Sequence, residues 1–162
     1  MLTTTENYTF PELIAGIQRE VQLGVDSPAV QAFAIEITQN QSDKIAAVFN
    51  WTRAHMVYQH DPIVDGQESE MLTSPNFQVL DYLKGTAIWE DCDGHAIFNT
   101  AIFRCLGMRS HVVIIDQTGG GYDHALCRVY SDIHQKWMYV DSSTDKYPLG
   151  WTETSFKEYI VS

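Results

Sequence analysis

Three polar residues in the second half of the chain have the types and the order of a thiol catalytic triad. Cys92 lies where an irregular stretch gives way to a helical pattern, His124 begins one predicted strand, and Asp141 ends the next. In such a triad the thiol attacks a carbonyl or carboxamide carbon, the imidazole carries the proton, and the carboxylate orients the imidazole. We therefore predict that these three residues are catalytic.

The sequence around Cys92 both favours and opposes a reactive thiolate. With Asp91 as the N-cap, Cys92 takes the first helical position, where free backbone N–H groups and a dipole of about half a charge favour an anion. Glu90, Asp91 and Asp93 oppose this effect, because nearby carboxylates raise the pKa of a thiol. We therefore expect Cys92 to need an imidazole partner.

The predicted hairpin between the last two strands determines whether Asp141 can reach His124. A loop at 131–134 places His124 directly opposite Asp141, and a loop at 133–134 places Asp141 opposite Leu126. Side chains two positions apart share a face of the sheet, so both turns put Asp141 on the face of His124. A loop of odd length would place the two side chains on opposite faces.

The oxyanion of an acyl-transfer reaction needs hydrogen-bond donors. The backbone N–H of Cys92 is a candidate for one donor. Trp89 and Tyr58 are candidates for the second donor or for the walls of a cleft.

The elements that position these residues are predicted to form an α+β domain. Helical spacing of apolar residues predicts helices that begin near Phe10, Ser27 and Ser42, with the third ending at Asp61. Residues 61–87 are predicted to form a long loop with one short helix. The short helix of this loop is predicted at Val79–Leu83. A helix that begins at Asp91 follows the loop, and three strands come after it, at Ser110–Asp116, His124–Tyr130 and Lys136–Asp141.

Length, charge and cysteine content restrict the class of protein. The chain has 162 residues, 44% of them hydrophobic, and a net charge of −11. This balance favours one domain and argues against binding to nucleic acid or to anionic membranes. The three cysteines form no disulfide framework, and no signal peptide is visible, so we expect a cytoplasmic or virion-associated protein.

Four blocks of sequence resemble the transglutaminase-like superfamily of papain-like folds. They are Trp89–Ala96, Leu106–Val113, Asp123–Ala125 and Trp137–Ser142, and weaker flanking blocks are similar to short bacterial and Mu-like prophage forms. The resemblance covers residues 42–151, with N-terminal helices at 1–41 and a C-terminal tail at 152–162. It implies a helix bearing the catalytic cysteine packed on an antiparallel sheet, within a single domain.

The resemblance also implies a function. The expected activity is that of a peptidase, amidase or deamidase on a protein or peptide substrate, with the triad Cys92, His124 and Asp141. The short forms usually have Gly-Asp-Cys-Asp-Asp, whereas this chain has Glu90 and Gly94 at the first and last positions. Asp91 replaces the glutamine that precedes the cysteine in animal transglutaminases, which favours hydrolysis over cross-linking.

Two alternatives and the cofactor predictions stay open. The fold could serve as a non-catalytic virion or assembly component, with phage structural proteins as partners, or as a binding module that uses an aromatic cleft. No metal centre is predicted, because Cys92 and His95 form only half of a zinc site. The acidic segment Asp65, Glu68 and Glu70 could bind calcium, as some transglutaminase-like peptidases do, although a solvated loop is the simpler interpretation.

Overall fold

The computed structural model describes residues 8–64, 67–68, 70–151 and 154–162. Within these ranges the chain forms five helices and eight strands. The helices are α1 (Phe10–Asp26), α2 (Pro28–Thr38), α3 (Lys44–His55), α4 (Pro75–Leu83) and α5 (Cys92–Cys105). The strands are β1 (Met56–Tyr58), β2 (Ile63–Val64), β3 (Gln67–Glu68), β4 (Ile88–Glu90), β5 (Ser110–Asp116), β6 (His124–Ser131), β7 (Lys136–Val140) and β8 (Lys157–Val161).

Helix α5 lies at the centre of the molecule, and every residue from Asp93 to Phe103 is buried. One side of α5 packs on the antiparallel sheet β7-β6-β5-β8, and α1 packs against the helix as well. Phe98, Ile102 and Phe103 join the core shared with α2, α3 and β6. The predicted α+β fold, with the cysteine helix on an antiparallel sheet, is therefore confirmed.

Capping side chains set the starts of the N-terminal helices. The Thr9 N–H donates to the Glu12 carboxylate at 2.8 Å, as in a capping box. The Ser27 hydroxyl accepts from the Val30 N–H at 3.4 Å, so α2 begins where it was predicted. The third helix begins one residue later than predicted, because the Asp43 carboxylate, rather than Ser42, accepts from the Ala46 N–H at 3.0 Å.

The hairpin between β6 and β7 adopts one of the two predicted registers. Cys127 pairs with Val140 and Ser131 pairs with Lys136, which is the register of the shorter predicted loop. The turn itself spans 132–135, and its last residue, Gln135, takes a left-handed conformation with φ of 53°. One step beyond the last pair, Asp141 lies opposite Leu126 and shares a face with His124.

The segment between α3 and α5 is more ordered than the predicted loop. The third helix ends at His55 rather than Asp61, and β1 then pairs in parallel with β4. Strands β2 and β3 form a small antiparallel pair, and α4 begins at Pro75, four residues before its predicted start. Strands of two or three residues are too short to show a periodicity of their own.

The C-terminal segment, predicted as a tail at 152–162, contains β8, which pairs with β5 from Val112↔Val161 to Asp116↔Lys157. Four of the five β8 residues are exposed, so the strand lacks the alternating apolar pattern that would reveal it in the sequence. Among the described residues, no helix is long and apolar enough to cross a bilayer.

Candidate active site

Cys92 is the first residue of α5, as the sequence predicted. The Asp91 carboxylate caps the helix by accepting from the Gly94 N–H at 3.3 Å. This cap leaves the Cys92 N–H among the free donors at the positive end of the helix. The thiol is half-buried and opens into a cleft between α1, α5 and the sheet. The start of α5 therefore holds the nucleophile candidate beside an available backbone donor.

His124 and Asp141 form a hydrogen-bonded pair. Nε2 of His124 lies 2.8 Å from Oδ2 of Asp141, and the aspartate is only 3% exposed. Its other oxygen, Oδ1, accepts from the Ser143 hydroxyl at 2.7 Å and from the Ser143 N–H at 3.1 Å. The β6–β7 register thus produces the contact that it predicted between these two side chains.

Hydrogen bonding keeps the Asp141 carboxylate ionised. Burial alone would raise its pKa, but the hydrogen bond and charge of His124, together with the two bonds from Ser143, lower the pKa of Asp141 below its usual value. With an ionised aspartate on Nε2, the shared proton resides on that nitrogen, and Nδ1 of the neutral imidazole is left as the acceptor. Asp141 therefore selects the tautomer that a thiol could protonate.

Cys92 and His124 line the same cleft. Ala125, the next residue of β6, lies with them, and its backbone N–H contacts the Cys92 thiol. Asp91, Asp93 and Glu70 line the cleft on the α5 side. The structure therefore brings the predicted nucleophile and base to one opening, with Asp141 behind the imidazole.

The surroundings of Cys92 keep its thiol protonated. Burial raises its pKa well above the usual value, and the charges of Asp93, Asp91 and Asp141 raise it further, whereas the Ala125 N–H lowers it. The carboxylates therefore oppose the effect of the helix dipole on the thiol, as the sequence indicated. A nucleophilic Cys92 would therefore depend on proton transfer to a base.

Tyr58 and Trp89 lie on paired strands but differ in environment. The pKa of Tyr58 is raised to about 12 by burial and then by the charges of Cys92 and Asp91, and its phenol oxygen lies 3.4 Å from Nδ1 of His60. Trp89 is 56% exposed between the buried residues Ile88 and Glu90, which places it on the opposite face of β4. At 41% exposure Tyr58 is the more buried of the two oxyanion candidates, and a donor role for either stays a prediction.

A buried polar cluster behind the site was not predicted from the sequence. His95 Nδ1 lies 2.9 Å from the Ser142 hydroxyl, which also accepts from the Asn99 amide at 2.8 Å. Burial lowers the pKa of His95 to about 4, so the ring is neutral at pH 7. His95 and Asn99 follow Cys92 by three and seven positions, the spacing of one helix face, and this spacing is the signal that could have revealed them.

The two departures from the family pattern are linked in space. A Cβ atom added at Gly94 would lie 2.8 Å from Cβ and 2.9 Å from Cδ of Glu90, which is closer than real side chains approach. Glu90 therefore occupies the space that a side chain at position 94 would need. The glutamate and the glycine have exchanged places relative to the family pattern.

Three carboxylates beside the cleft have the chemistry of ligands for a hard cation. Asp61, Glu70 and Asp91 each offer an oxygen, and these atoms lie within 4.8 Å of one another. Glu70 of the predicted calcium segment belongs to this cluster. Asp65 and the side chain of Glu68 lie outside the described residues. Burial, followed by the charge of Asp91, raises the pKa of Asp61 to about 7.

Comparisons with known proteins identify the fold. No protein-family model matches the sequence, and no curated protein matches it. A candidate cysteine protease from Cytophaga hutchinsonii is 16% identical, with a TM-score of 0.53 over 86% of this chain and 46% of its own. A candidate protease from Parabacteroides distasonis ATCC 8503 is 13% identical, with a TM-score of 0.57 over 82% of this chain and 27% of its own.

At these identities the matches show a common fold. The chain shares its α+β fold with these two candidate proteases, which agrees with the fold that the resemblance in the sequence implied. It spans less than half the length of the two proteins, 46% of one and 27% of the other, so any activity that they have is carried over only as a proposal. The prophage subtype stays a prediction.

Proposed function

We propose that this protein is a thiol-dependent acyl-transfer enzyme that hydrolyses an amide bond of a protein or peptide. Cys92 is the nucleophile, His124 the general base and acid, and Asp141 the residue that orients His124. The observation that best supports this assignment is the 2.8 Å hydrogen bond between His124 and Asp141 at the edge of the cleft that Cys92 enters. The fold supports the same class of chemistry.

The reaction proceeds in two steps. The Cys92 sulfur forms a bond to the amide carbon while its proton passes to Nδ1 of His124, and the imidazolium then protonates the leaving nitrogen as the C–N bond breaks. A water molecule next attacks the thioester, losing a proton to His124. The C–S bond breaks, the thiol regains a proton, and the products are a carboxylic acid and an amine, or ammonia from a side-chain amide.

The proposed mechanism uses two donors, the Cys92 N–H and the Tyr58 phenol, to stabilise the oxyanion of each tetrahedral intermediate. The Cys92 N–H is free at the start of α5, and the Tyr58 phenol stays protonated throughout the physiological pH range because its pKa is about 12. A positioned donor of this kind contributes about 3 kcal/mol to an acyl-transfer barrier. Tyr58→Phe should therefore slow turnover strongly while leaving the alkylation of Cys92 nearly unchanged.

The test is the pH dependence of Cys92 alkylation by iodoacetamide, read by peptide mass spectrometry so that Cys105 and Cys127 are followed separately. We expect Cys92 in the wild type to react near neutral pH, and His124→Ala to slow that reaction at least tenfold, about 1.4 kcal/mol in barrier. His134→Ala is the matched control, because His134 is exposed in the β6–β7 turn. A rate that is indifferent to His124 would contradict the proposed chemistry.

A second candidate function is a non-catalytic component of a phage particle that reuses the fold. The observation that favours it is the half-buried Cys92 thiol, whose pKa is raised by burial and by Asp93 and Asp91. An inert Cys92 in the alkylation experiment, combined with stoichiometric recovery of the protein in purified particles, would support this candidate over the enzyme.

A further inference from the structure

The cleft that Cys92 enters has one acidic wall. Glu70, Asp91 and Asp93 line it beside the thiol, and Asp61 extends the acidic surface behind Glu70 and Asp91. Among the described residues that line the cleft, none is a lysine or an arginine. A substrate that reaches Cys92 therefore meets a cluster of carboxyl groups beside the thiol.

Asp93 is the most buried carboxyl group of this acidic surface. It is 5% exposed, and its Oδ1 has no hydrogen-bond partner among the described residues. Burial raises its pKa, and the neighbouring carboxylates Asp91, Glu70 and Asp61 raise it further, which places Asp93 against the acidic wall. A buried carboxyl oxygen without a partner is unfavourable, and a bound cation would relieve the cost.

The other wall of the cleft is apolar. Leu13 and Ile17 of α1, Ile114 of β5 and the ring of Tyr122 line it. A lysine or arginine side chain has the same two parts, because its aliphatic stem packs on apolar surface while the charged group contacts polar atoms. A bare metal ion would use the carboxylates and leave the apolar wall without a role.

We propose that the acidic wall of the cleft, formed by Asp61, Glu70, Asp91 and Asp93, binds a lysine or arginine side chain of the substrate next to the amide that Cys92 attacks. This inference rests on the proposed function, which it deepens by naming the substrate class. The net charge of −11 brings basic partners to the protein, and the cleft selects among them at short range.

The test compares three methanethiosulfonate reagents on the full chain, after treatment with EDTA. Because the reagents differ in intrinsic reactivity, every rate is expressed relative to the rate of the same reagent with a small free thiol. The reagents carry a methyl group, a trimethylammonium-ethyl group and a sulfonato-ethyl group, and each modifies Cys92 in proportion to its access to the thiol. We expect the cationic reagent to react about tenfold or more faster than the anionic one, with the neutral reagent between them.

Two variants that each remove one negative charge distinguish the effect of the cleft from the effect of the overall charge of the protein. Glu70→Gln should reduce the ratio of cationic to anionic rates at least threefold, while Glu36→Gln, an exposed change on α2, should leave the ratio unchanged. Equal effects of the two variants, or a ratio near one in the wild type, would overturn the proposal. Micromolar calcium binding in calorimetry that is lost in Glu70→Gln would also overturn it, by assigning the wall to a metal.

Failure of the subsite can be told from failure of the proposed function. The rate with the neutral reagent reports on the Cys92–His124 chemistry, and it should fall in His124→Ala. The charge ratio reports on the acidic wall, and it should persist in His124→Ala. A lost ratio with a rate that still depends on His124 contradicts the basic-substrate proposal alone.

Discussion

Several carboxylates lie close to Cys92 in the sequence, and two positions near it, Glu90 and Gly94, are coupled in space. Glu90 fills the space beside the first turn of α5 that a side chain at position 94 would need, so position 94 is glycine. In the pattern that the sequence resembles, Gly-Asp-Cys-Asp-Asp, the glycine corresponds to position 90 and the carboxylate to position 94. The exchange keeps one acidic group close to the start of α5 while moving it from the helix to the preceding strand, where it is buried.

A double-mutant cycle tests this coupling. Gly94→Ala should lower the free energy of unfolding by about 1 to 3 kcal/mol, because the new Cβ overlaps the Glu90 side chain. Glu90→Gly should also destabilise the protein, since it empties a buried site, but the combination Glu90→Gly with Gly94→Asp should cost less than the sum of its parts. Urea unfolding measures each free energy, and strict additivity would contradict the proposed exchange.

The elements differ in how much of them the sequence reveals. Helix α5 and strands β5 to β7 are predictable because apolar periodicity and turn residues act within each element. The β6–β7 register follows from the parity of a short turn, which is why Asp141 could be placed on the face of His124 before the structure was known. Strands β1, β4 and β8 are short or exposed and are formed by distant partners, so local pattern does not show them.

The candidate site, like the fold, is only partly predictable from the sequence. The order of Cys92, His124 and Asp141 is a property of the sequence, whereas the approach of Asp61 and Glu70 to Asp91 depends on how the segment between α3 and α4 folds back. The same holds for Ser142, which joins β7 to α5 through hydrogen bonds that no sequence spacing specifies.

The contact between α5 and the end of β7 carries the next prediction. The Ser142 hydroxyl is bonded to both His95 and Asn99, and all three residues are buried. Ser142→Ala should lower the free energy of unfolding by about 1 to 3 kcal/mol, because it leaves buried polar groups without a partner. Urea unfolding at pH 7 measures the change, and a loss below about 0.5 kcal/mol would show that the cluster does not join the two elements.

At the scale of the whole molecule, the net charge of −11 and the buried acidic groups make stability depend on pH. Burial and the charge of Asp91 raise the pKa of Glu90 to about 7, above its unfolded value. A raised carboxyl pKa contributes stability that is present below the unfolded pKa and lost as the pH rises through the folded one. The lowered pKa of His95, about 4 in the folded protein, has the opposite effect and makes stability rise with pH. This effect acts between the folded value and the usual value of 6.5.

Glu90→Gln isolates the acidic contribution, because glutamine has the shape of the protonated glutamate and cannot ionise. We expect the free energy of unfolding of this variant, relative to the wild type, to rise by about 2 to 3 kcal/mol between pH 5 and pH 8. Urea titrations across that range measure the difference, and Glu36→Gln, which removes the same charge from an exposed site, should show little trend. Parallel stability profiles for wild type and Glu90→Gln would mean that Glu90 is ionised in the folded protein at pH 5, contrary to its burial against α5.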